Sequence, residues 1–369
     1  MAIIDSTLRE GLQAVGIAFP LAEKVALVGE LLAIGVEEIE IGIACSRETE
    51  VANLVRGIRA AHGRAPRLAL WSRCRAEDIA LAANLDLDVL SLSIPVTERL
   101  LTSKMGCSPR EALELVARSV RQARESFAYV SLGLEDATRA EPEFLDAVVA
   151  CAARAGASRV RLADTVGIGS PGTVGRLVAR VRERSGLVVG FHGHNDFGMA
   201  TANAVAALEA GASWIDATVL GLGERAGNAR LEEVVAYRSL RQGMGKYDLL
   251  RLRSLCHHVA GMAGRPIAPQ QPVIGEGIFA CETGLHLLGL LDDPASYEPF
   301  APASVGGERR LYFGAKSGLK AVERSLRAAG VILPQSGLEK VVASLREQAE
   351  EAPLAAEDLP DFALRVAAG

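Results

Sequence analysis

The chain has 369 residues, 49% of them hydrophobic, which is enough for one large α/β domain and a smaller addition. A net charge of −5 without a long basic run argues against nucleic acid as the main partner. No apolar run is long enough to span a membrane and no leader-like segment precedes the first strand, so we expect neither membrane insertion nor secretion.

Strand-like and helix-like runs alternate from the start of the chain. The predicted strands are residues 2–6, 36–42, 67–72, 89–96, 129–135, 159–165, 187–194 and 214–222. The amphipathic stretches between them are 21–33, 47–61, 76–84, 110–126, 142–155, 172–184, 199–210 and 231–241. Ser108-Pro109-Arg110-Glu111 reads as a capping box with proline in the first turn, and Ser170-Pro171 repeats the cap-and-proline pattern.

Eight strand–helix units in about 240 residues are typical of a (β/α)8 TIM barrel, and we predict one over residues 1–242. A doubly wound open sheet is the alternative. It would carry a glycine-rich nucleotide loop after the first strand, and Arg9-Glu10-Gly11 is not such a loop. Residues 243–369 are predicted to form a linker and helical subdomain, with helices near 247–263, 318–329 and 337–350.

The cysteines are scattered along the chain without a C-x-x-C pair. They stand at positions 45, 74, 107, 151, 256 and 281. This pattern favours neither a disulfide framework nor a cysteine-rich zinc site, so we expect a reducing cytoplasm.

A TIM barrel carries its functional side chains at the carboxyl ends of the strands. The polar residues at the predicted strand ends are Arg9, Glu10 and Gln13 after strand one, Arg73 after strand three, Glu135 after strand five, Thr165 after strand six, His192 and His194 on strand seven, and Asn228 after strand eight. Their coincidence at one face of the barrel makes a shared site the favoured interpretation.

His192 and His194 point to the same side of their strand, because side chains on a strand alternate with period two. Two adjacent imidazoles suit a divalent metal, although such a pair alone is as typical of a polar loop. A hard oxygen donor from Glu10, with a carbonyl oxygen from Asn228, would favour Mg²⁺ or Mn²⁺. An α-keto acid could chelate that metal, and Arg9 could pair with its carboxylate.

Three separated motifs carry a family resemblance. They are Asp5-Ser6-Thr7-Leu8-Arg9-Glu10-Gly11, His192-Gly193-His194-Asn195-Asp196 and Gly221-Leu222-Gly223-Glu224-Arg225-Ala226-Gly227-Asn228. The chain resembles the metal-dependent TIM-barrel family of 2-isopropylmalate and homocitrate synthases over nearly its whole length. Its shortness, its loop at 223–229 and its helix start at 199–203 look most like homocitrate synthases of the nitrogen-fixation type.

The resemblance implies an acyltransferase that condenses acetyl-CoA with 2-oxoglutarate, whose product homocitrate becomes an organic ligand of the nitrogenase iron–molybdenum cofactor. It also implies the roles of the site residues. Glu10, His192 and His194 would bind the metal with Asn228 as a further ligand, Arg9, Gln13 and Thr165 would hold the keto acid, and Glu135 and His286 would handle protons. His286 would come from the partner subunit of a homodimer.

Two positions depart from the family, and the first of them leaves the keto acid open. Ser131 stands where lysine-pathway homocitrate synthases carry an arginine for the distal carboxylate, and Arg73 is the candidate substitute. Cys281 stands where many relatives have histidine. Synthases of 2-isopropylmalate, citramalate or Re-type citrate therefore remain alternatives.

Two further alternatives belong to other functional classes. An acyl-CoA lyase of the same barrel class would carry a catalytic cysteine after strand eight, and residues 220–230 contain none. A non-catalytic binding protein would not need to retain Arg9, Glu10, both histidines and His286 together.

Overall fold

The computed structural model describes residues 2–44, 48–347 and 352–368. The chain divides into two compact units, Met1–Pro266 and Ile267–Gly369. The first unit contains a closed barrel of eight parallel strands in the order β1 to β8, with β8 pairing with β1. The predicted TIM barrel is therefore confirmed, and the open-sheet alternative is wrong.

The barrel elements alternate as the sequence pattern predicts. The strands are β1 (Ala2–Asp5), β2 (Glu38–Ala44), β3 (Leu68–Arg73), β4 (Val89–Pro95), β5 (Val130–Glu135), β6 (Arg159–Asp164), β7 (Val188–Gly193) and β8 (Trp214–Ala217). The helices are α1 (Leu21–Ile34), α2 (Glu48–His62), α3 (Ala76–Ala83), the short α4 (Glu98–Leu100), α5 (Pro109–Ser126), α6 (Pro142–Ala155), α7 (Pro171–Ser185), α8 (Ala200–Glu209), α9 (Leu231–Arg241) and α10 (Leu252–Ala263). Arg47, the predicted first residue of α2, lies outside the described residues.

The helix boundaries follow the local signals in the sequence. Ser108 and Glu111 form a reciprocal capping box at the start of α5, and Ser170 forms one with Thr173 at the start of α7. At the end of α1, Gly35 adopts the left-handed conformation with φ of 102°, which glycine enters without steric cost. These caps set where α5 and α7 begin and where α1 ends.

Strand β8 is shorter than the sequence pattern predicts. It ends at Ala217, and a 3₁₀ turn over Val219–Gly221 follows. Leu220 has a φ of 59° and Gly221 a φ of 66°, so the backbone leaves the extended conformation there. The predicted strand at 214–222 is therefore wrong in its second half, and the turn directs the following loop across the barrel mouth.

The boundary between the units falls at Pro266, whereas the sequence predicts it at residue 242. The difference has a physical cause in α10, which packs against α1 of the barrel. His258 of α10 contacts both Glu30, at 3.0 Å from Nδ1, and Glu23, at 3.0 Å from Nε2. Residues 243–266 therefore belong with the barrel unit.

The second unit has its own small sheet and hydrophobic core. Its strands are β9 (Ala280–Cys281), β10 (Arg310–Phe313) and β11 (Leu354–Ala355), and its helices are α11 (Gly284–Asp292), α12 (Leu319–Ala328), α13 (Gln335–Glu347) and α14 (Leu359–Ala368). Leu287, Phe313, Val341 and Leu359 lie in the buried core of this unit. The predicted helices of this unit are confirmed within the described residues, and residues 348–350 of the last predicted helix lie outside them. The sequence did not predict the small sheet, because its strands are too short to give a periodic pattern.

A buried ion pair lies at the amino-terminal end of the barrel strands. Arg159 of β6 is fully buried and donates to Glu38 of β2 at 2.6 Å and to Ser131 of β5 at 3.0 Å. Its guanidinium lies over the rings of Tyr129 and Trp214, 5.4 and 4.8 Å from their centroids. Pairing and aromatic contact together compensate for the burial of the charge.

The contact of His258 predicts a pH-dependent part of the stability. Hydrogen bonding to Glu30 raises the pKa of His258 above its usual value, with Glu23 acting in the same direction against partial burial. A pKa raised on folding adds stability that is complete below the unfolded value of about 6.5 and is lost as pH rises through the folded value. We expect the difference in unfolding free energy between the native chain and His258→Gln to shrink from pH 6 to 9, starting below about 1 kcal/mol because both carboxylates are partly exposed.

Urea unfolding at several pH values measures this difference. A gap between the two proteins that stays constant over the range would contradict the assignment. The buried carboxyls Asp5 and Glu232, whose pKa values burial raises to about 7, are common to both proteins and cancel in the comparison.

In the described part of the chain, no helix combines the length and the hydrophobicity that a membrane span requires. The thiols of Cys74, Cys107, Cys151, Cys256 and Cys281 are free, and Cys45 lies outside the described residues.

Candidate metal and substrate site

Three buried side chains with metal-binding atoms meet at the carboxyl ends of the strands. Glu10, just after β1, and His192 and His194, at the end of β7, bring one ligand atom each within 4.8 Å of one another. The Nε2 atoms of the two histidines are 3.4 Å apart, and Nε2 of His194 is 3.7 Å from a carboxylate oxygen of Glu10. Because β8 alone separates β7 from β1, Glu10 lies beside the histidines rather than opposite them.

The histidines of this cluster are held neutral. Burial lowers the pKa of His192, and burial together with the nearby His192 lowers the pKa of His194 to about 3. Nδ1 of His192 lies 3.0 Å from Asp216, which assigns its hydrogen to Nδ1 and leaves the lone pair on Nε2. A metal binds to the neutral form of imidazole, and here the Nε2 lone pair of His192 is directed toward the other candidate metal ligands.

A chain of buried ion pairs supports this arrangement from below. Asp216 of β8 lies 2.9 Å from Arg161 of β6, Arg161 lies 3.0 Å from Glu40 of β2, and Glu40 accepts from Arg9 at 2.6 Å. Burial opposes the charge on Glu40, but Arg161 and Arg9 lower its pKa overall. This series of ion pairs therefore connects His192 to Arg9 through side chains whose charges alternate in sign.

The donor set fits a divalent metal. The Glu10 carboxylate pairs with Arg9, and the amide of Gln13 lies 3.2 Å from both carboxylate oxygens, to which it would donate once its nitrogen and oxygen are exchanged. Asn228 is 2% exposed; its amide nitrogen donates to the carbonyl of Leu222, while its Oδ1 is buried without a hydrogen-bond partner among the described residues. A buried carbonyl oxygen without a partner is costly unless a ligand uses it. Two nitrogens, a carboxylate and this oxygen are ligands that divalent ions accept.

Thr165 and Glu135, both predicted site residues, lie on the same rim. Oγ1 of Thr165 accepts from the backbone N–H of Asp136, and Arg225 donates to the Thr165 carbonyl at 2.8 Å. Glu135 ends β5; its two carboxylate oxygens accept from Ser93 at 2.8 Å and from Lys104 at 2.7 Å. Glu135 thus contacts polar groups of the rim, whereas the next residue, Asp136, is fully buried and accepts two hydrogen bonds from Arg139.

Two further predicted site residues, Arg73 and His286, have other contacts within their own units. Arg73, at the end of β3, makes a bidentate contact with Asp78 at 2.6 and 2.9 Å. His286 lies in α11 of the second unit, exposed, with its ring packed against Tyr297 at a centroid distance of 4.4 Å.

Sequence reasoning missed four residues that bear on the site: Glu40, Arg161, Asp216 and Lys104. The first three are charged residues within predicted strands that are otherwise apolar. A charge at an inward position of a buried strand requires a partner, so this pattern signals an internal ion-pair network. Lys104 lies in an irregular turn after β4 and has no comparable sequence signal.

An eight-stranded α/β barrel with a Glu-His-His cluster at the carboxyl ends of its strands defines the class: a TIM-barrel protein with a candidate divalent-metal site. The HMGL-like family model matches residues 1–259, and the chain belongs to this family. A second model, described as a homocitrate synthase post-HMGL domain-like region, matches residues 273–353.

Curated relatives refine the family. The chain is 42% identical to a homocitrate synthase of Frankia alni over 88% of this chain and 93% of the relative. It is 34% identical to 2-isopropylmalate synthase 2 of Caldanaerobacter subterraneus, over 94% of this chain and 90% of the relative. The solved HMG-CoA lyase of Brucella melitensis superposes with a TM-score of 0.63 at 24% identity, over 71% of this chain and 98% of that one, and supports the barrel fold.

Proposed function

We propose that the protein is a homocitrate synthase, which condenses acetyl-CoA with 2-oxoglutarate and then releases CoA. The observation that carries the proposal is the Glu10–His192–His194 cluster beside Arg9, in a chain that is 42% identical to a homocitrate synthase over most of both lengths. Such a cluster, next to a cation that can bind a carboxylate, suits the binding of a 2-oxo acid.

Glu10, His192 and His194 would hold a divalent ion such as Mg²⁺ or Mn²⁺, and the Oδ1 atom of Asn228 is the further candidate ligand. When bound, the ion would supply Lewis-acid polarisation of the substrate ketone. Asp216 fixes the tautomer of His192 through the 3.0 Å contact with Nδ1 and thereby keeps Nε2 unprotonated for the ion.

Arg9, Gln13 and Thr165 would bind the 2-oxo acid. Arg9 donates from Nε to Glu40 at 2.6 Å and from Nη1 to Glu10, which fixes its guanidinium, and its Nη2 would donate to the substrate carboxylate. The Thr165 hydroxyl accepts from the backbone of Asp136, so its own hydrogen is available to a ligand. Arg73 would contribute less to substrate binding than the sequence predicts, because the N–H groups on one edge of its guanidinium already donate to Asp78.

Glu135 and His286 would move protons. The reaction requires removal of a proton from the acetyl methyl group and donation of a proton to the new alkoxide. Glu135 is held at the rim by Ser93 and Lys104, so its carboxylate is oriented for this role. His286 is an exposed imidazole on α11, and we propose that it enters the barrel mouth of the partner subunit in a homodimer.

The biological setting follows from the same proposal. Homocitrate would serve as the organic ligand of the nitrogenase iron–molybdenum cofactor. The cytoplasm is the proposed location, since the cysteines of the described residues are all free thiols.

A panel of 2-oxo acids with acetyl-CoA and Mn²⁺ tests the proposal through release of the CoA thiol. We expect 2-oxoglutarate to give the highest kcat/KM, at least about tenfold above pyruvate and 2-oxoisovalerate, since recognition of the second carboxylate discriminates more strongly than a hydrophobic pocket does. Oxaloacetate also carries a second carboxylate but is one methylene shorter, so we expect a smaller difference for this acid. A higher kcat/KM with any other acid would contradict the homocitrate assignment, and the protein would then be the synthase of the corresponding product.

A sister synthase is the second candidate function. The relative at 34% identity named 2-isopropylmalate synthase favours this candidate, because its length is covered as fully as that of the homocitrate synthases. The panel separates the two, since 2-oxoisovalerate would then be the preferred acid. An acyl-CoA lyase is disfavoured, because the loop at residues 220–230 contains no cysteine.

A further inference from the structure

Most of the cations around the barrel mouth are committed to carboxylates. Their guanidinium groups make paired hydrogen bonds with one acid each: Arg73 with Asp78 at 2.6 and 2.9 Å, Arg139 with Asp136 at 2.7 Å twice, and Arg225 with Asp196 at 2.8 and 2.9 Å. A bidentate pair is rigid and uses the planar fork that a carboxylate ligand would need. These three arginines are therefore poorly suited to recognise a second carboxylate.

The arginines inside the barrel are equally committed. Arg159 pairs with Glu38 at 2.6 Å, and Arg161 pairs with Glu40 at 3.0 Å. Ser131, where an arginine would be expected from the resemblance, accepts from Arg159 and brings no charge. Position 131 therefore supplies no cation for a substrate carboxylate in this chain.

Lys104 is different. It lies in a π-helical turn over Leu101–Met105, directly after α4, and its side chain is 53% exposed. Turns of this type occur frequently at functional sites. Its ammonium donates one hydrogen bond of 2.7 Å, to Glu135, and an ammonium has three donors. Lys104 can therefore keep Glu135 and still bind an incoming anion.

Small side chains line the wall beside this lysine. Ser93 of β4 donates to the other oxygen of Glu135 at 2.8 Å. Gly133 of β5 lies next to Ser93, and a Cβ atom there would be 3.3 Å from the carbonyl oxygen of Leu92 and 3.4 Å from the Ser93 hydroxyl. The β4–β5 side of the mouth thus combines a lysine ammonium and a hydroxyl, and Gly133 allows the two strands to pack closely beside them.

We propose that Lys104 is a specificity-determining residue that binds the distal carboxylate of a dicarboxylic 2-oxo acid. The inference rests on the proposed function and names the group that would select 2-oxoglutarate. A substrate with an apolar side chain would offer no hydrogen-bond acceptor to the remaining N–H groups of Lys104. Its apolar surface would also remove water from the charged Lys104–Glu135 pair, which is unfavourable. Selection therefore comes from attraction of the second carboxylate and from rejection of apolar side chains.

The test compares Lys104→Met with Arg99→Met, which removes one exposed positive charge from α4 in the same loop. Calorimetry with Mn²⁺ present measures the affinities for 2-oxoglutarate and 2-oxobutyrate, and thiol release measures kcat/KM for both. We expect Lys104→Met to lower the preference for 2-oxoglutarate roughly 10- to 100-fold, the range for loss of a charged hydrogen bond. Lys104→Arg should retain part of the preference, and Arg99→Met should retain all of it.

The binding measurement separates this proposal from the proposed function. Preferential binding of 2-oxoglutarate that Lys104→Met abolishes, without thiol release in the native protein, would support the lysine and overturn the synthase. Thiol release from 2-oxoglutarate with an unchanged preference in Lys104→Met would support the synthase and overturn the lysine. Equal losses for both acids would also overturn it, because Lys104 would then act only by positioning Glu135.

Discussion

Replacement of His192 by alanine is expected to lower the rate of thiol release by about a thousandfold or more and to abolish tight binding of Mn²⁺. The physical reason is that three ligands, Glu10, His192 and His194, converge within 4.8 Å, and two remaining ligands bind a divalent ion only weakly. Loss of Lewis-acid polarisation removes several kcal/mol of transition-state stabilisation, and each 1.36 kcal/mol corresponds to a factor of ten in rate.

The electron paramagnetic resonance signal of free Mn²⁺ measures binding independently of activity. His257→Ala is the matched control, because it removes an exposed histidine on α10, outside the cluster, and should leave both affinity and rate unchanged. Asp216→Asn is a milder second variant, because an amide oxygen can still accept from Nδ1 of His192 but carries no negative charge. We expect this variant to bind Mn²⁺ about 10- to 100-fold more weakly. Native affinity in His192→Ala would exclude this cluster as the metal site.

Metal binding at this place would also depend on side chains deeper in the barrel. Asp216 is shared between His192 and Arg161, and Arg161 is shared between Asp216 and Glu40. Since Glu40 also holds Arg9 at 2.6 Å, the candidate metal ligand and the candidate substrate arginine are coupled through one buried network. Removal of Arg161 would leave Asp216 buried without a cationic partner, which is more costly than the pair is favourable.

The fold was predictable because its signals are local. Alternating apolar runs placed all eight barrel strands, and the capping residues Ser108 and Ser170 placed the starts of α5 and α7. Strand β8 was predicted too long because Val219 and Leu220 are ordinary strand residues in composition, whereas the backbone forms a 3₁₀ turn there with Leu220 in the left-handed region. The boundary at Pro266 was missed because the contacts of His258 with α1 join residues more than 200 positions apart.

The sequence predicted which residues form the candidate site, but not which hydrogen bonds and ion pairs those residues make. Period-two alternation placed His192 and His194 on one side of β7, and the barrel rule placed Glu10 at the same end. The sequence could not indicate that Asp78 would engage Arg73, since a carboxylate five residues later in a helix is an ordinary surface feature. The contact between Lys104 and Glu135 depends on a π-helical turn, which no residue pattern in the sequence predicts.

Replacement of His286 by alanine is expected to lower kcat about 100- to 10,000-fold while leaving Mn²⁺ affinity unchanged, because the proposed role is proton transfer rather than metal binding. The imidazole is exposed on α11 and packs against the half-exposed ring of Tyr297. A Cβ atom at Gly289 would lie 2.2 Å from that ring, so glycine is needed for Tyr297 to occupy its place on α11. An exposed pair of aromatic groups held in this way suits insertion into another subunit.

Mixing two inactive proteins, His286→Ala and Glu10→Ala, tests whether His286 acts in the partner subunit. After subunit exchange, each hybrid dimer would contain one site with both residues intact and would regain up to about half the native activity, by the two-fold symmetry of the pair. A mixture of Glu10→Ala and His192→Ala is the control, because both changes fall in the same barrel and no combination restores a complete metal site. Exchange without recovered activity in the first mixture would mean that His286 acts within its own chain or takes no part, whereas recovery there and none in the control would place it across the dimer.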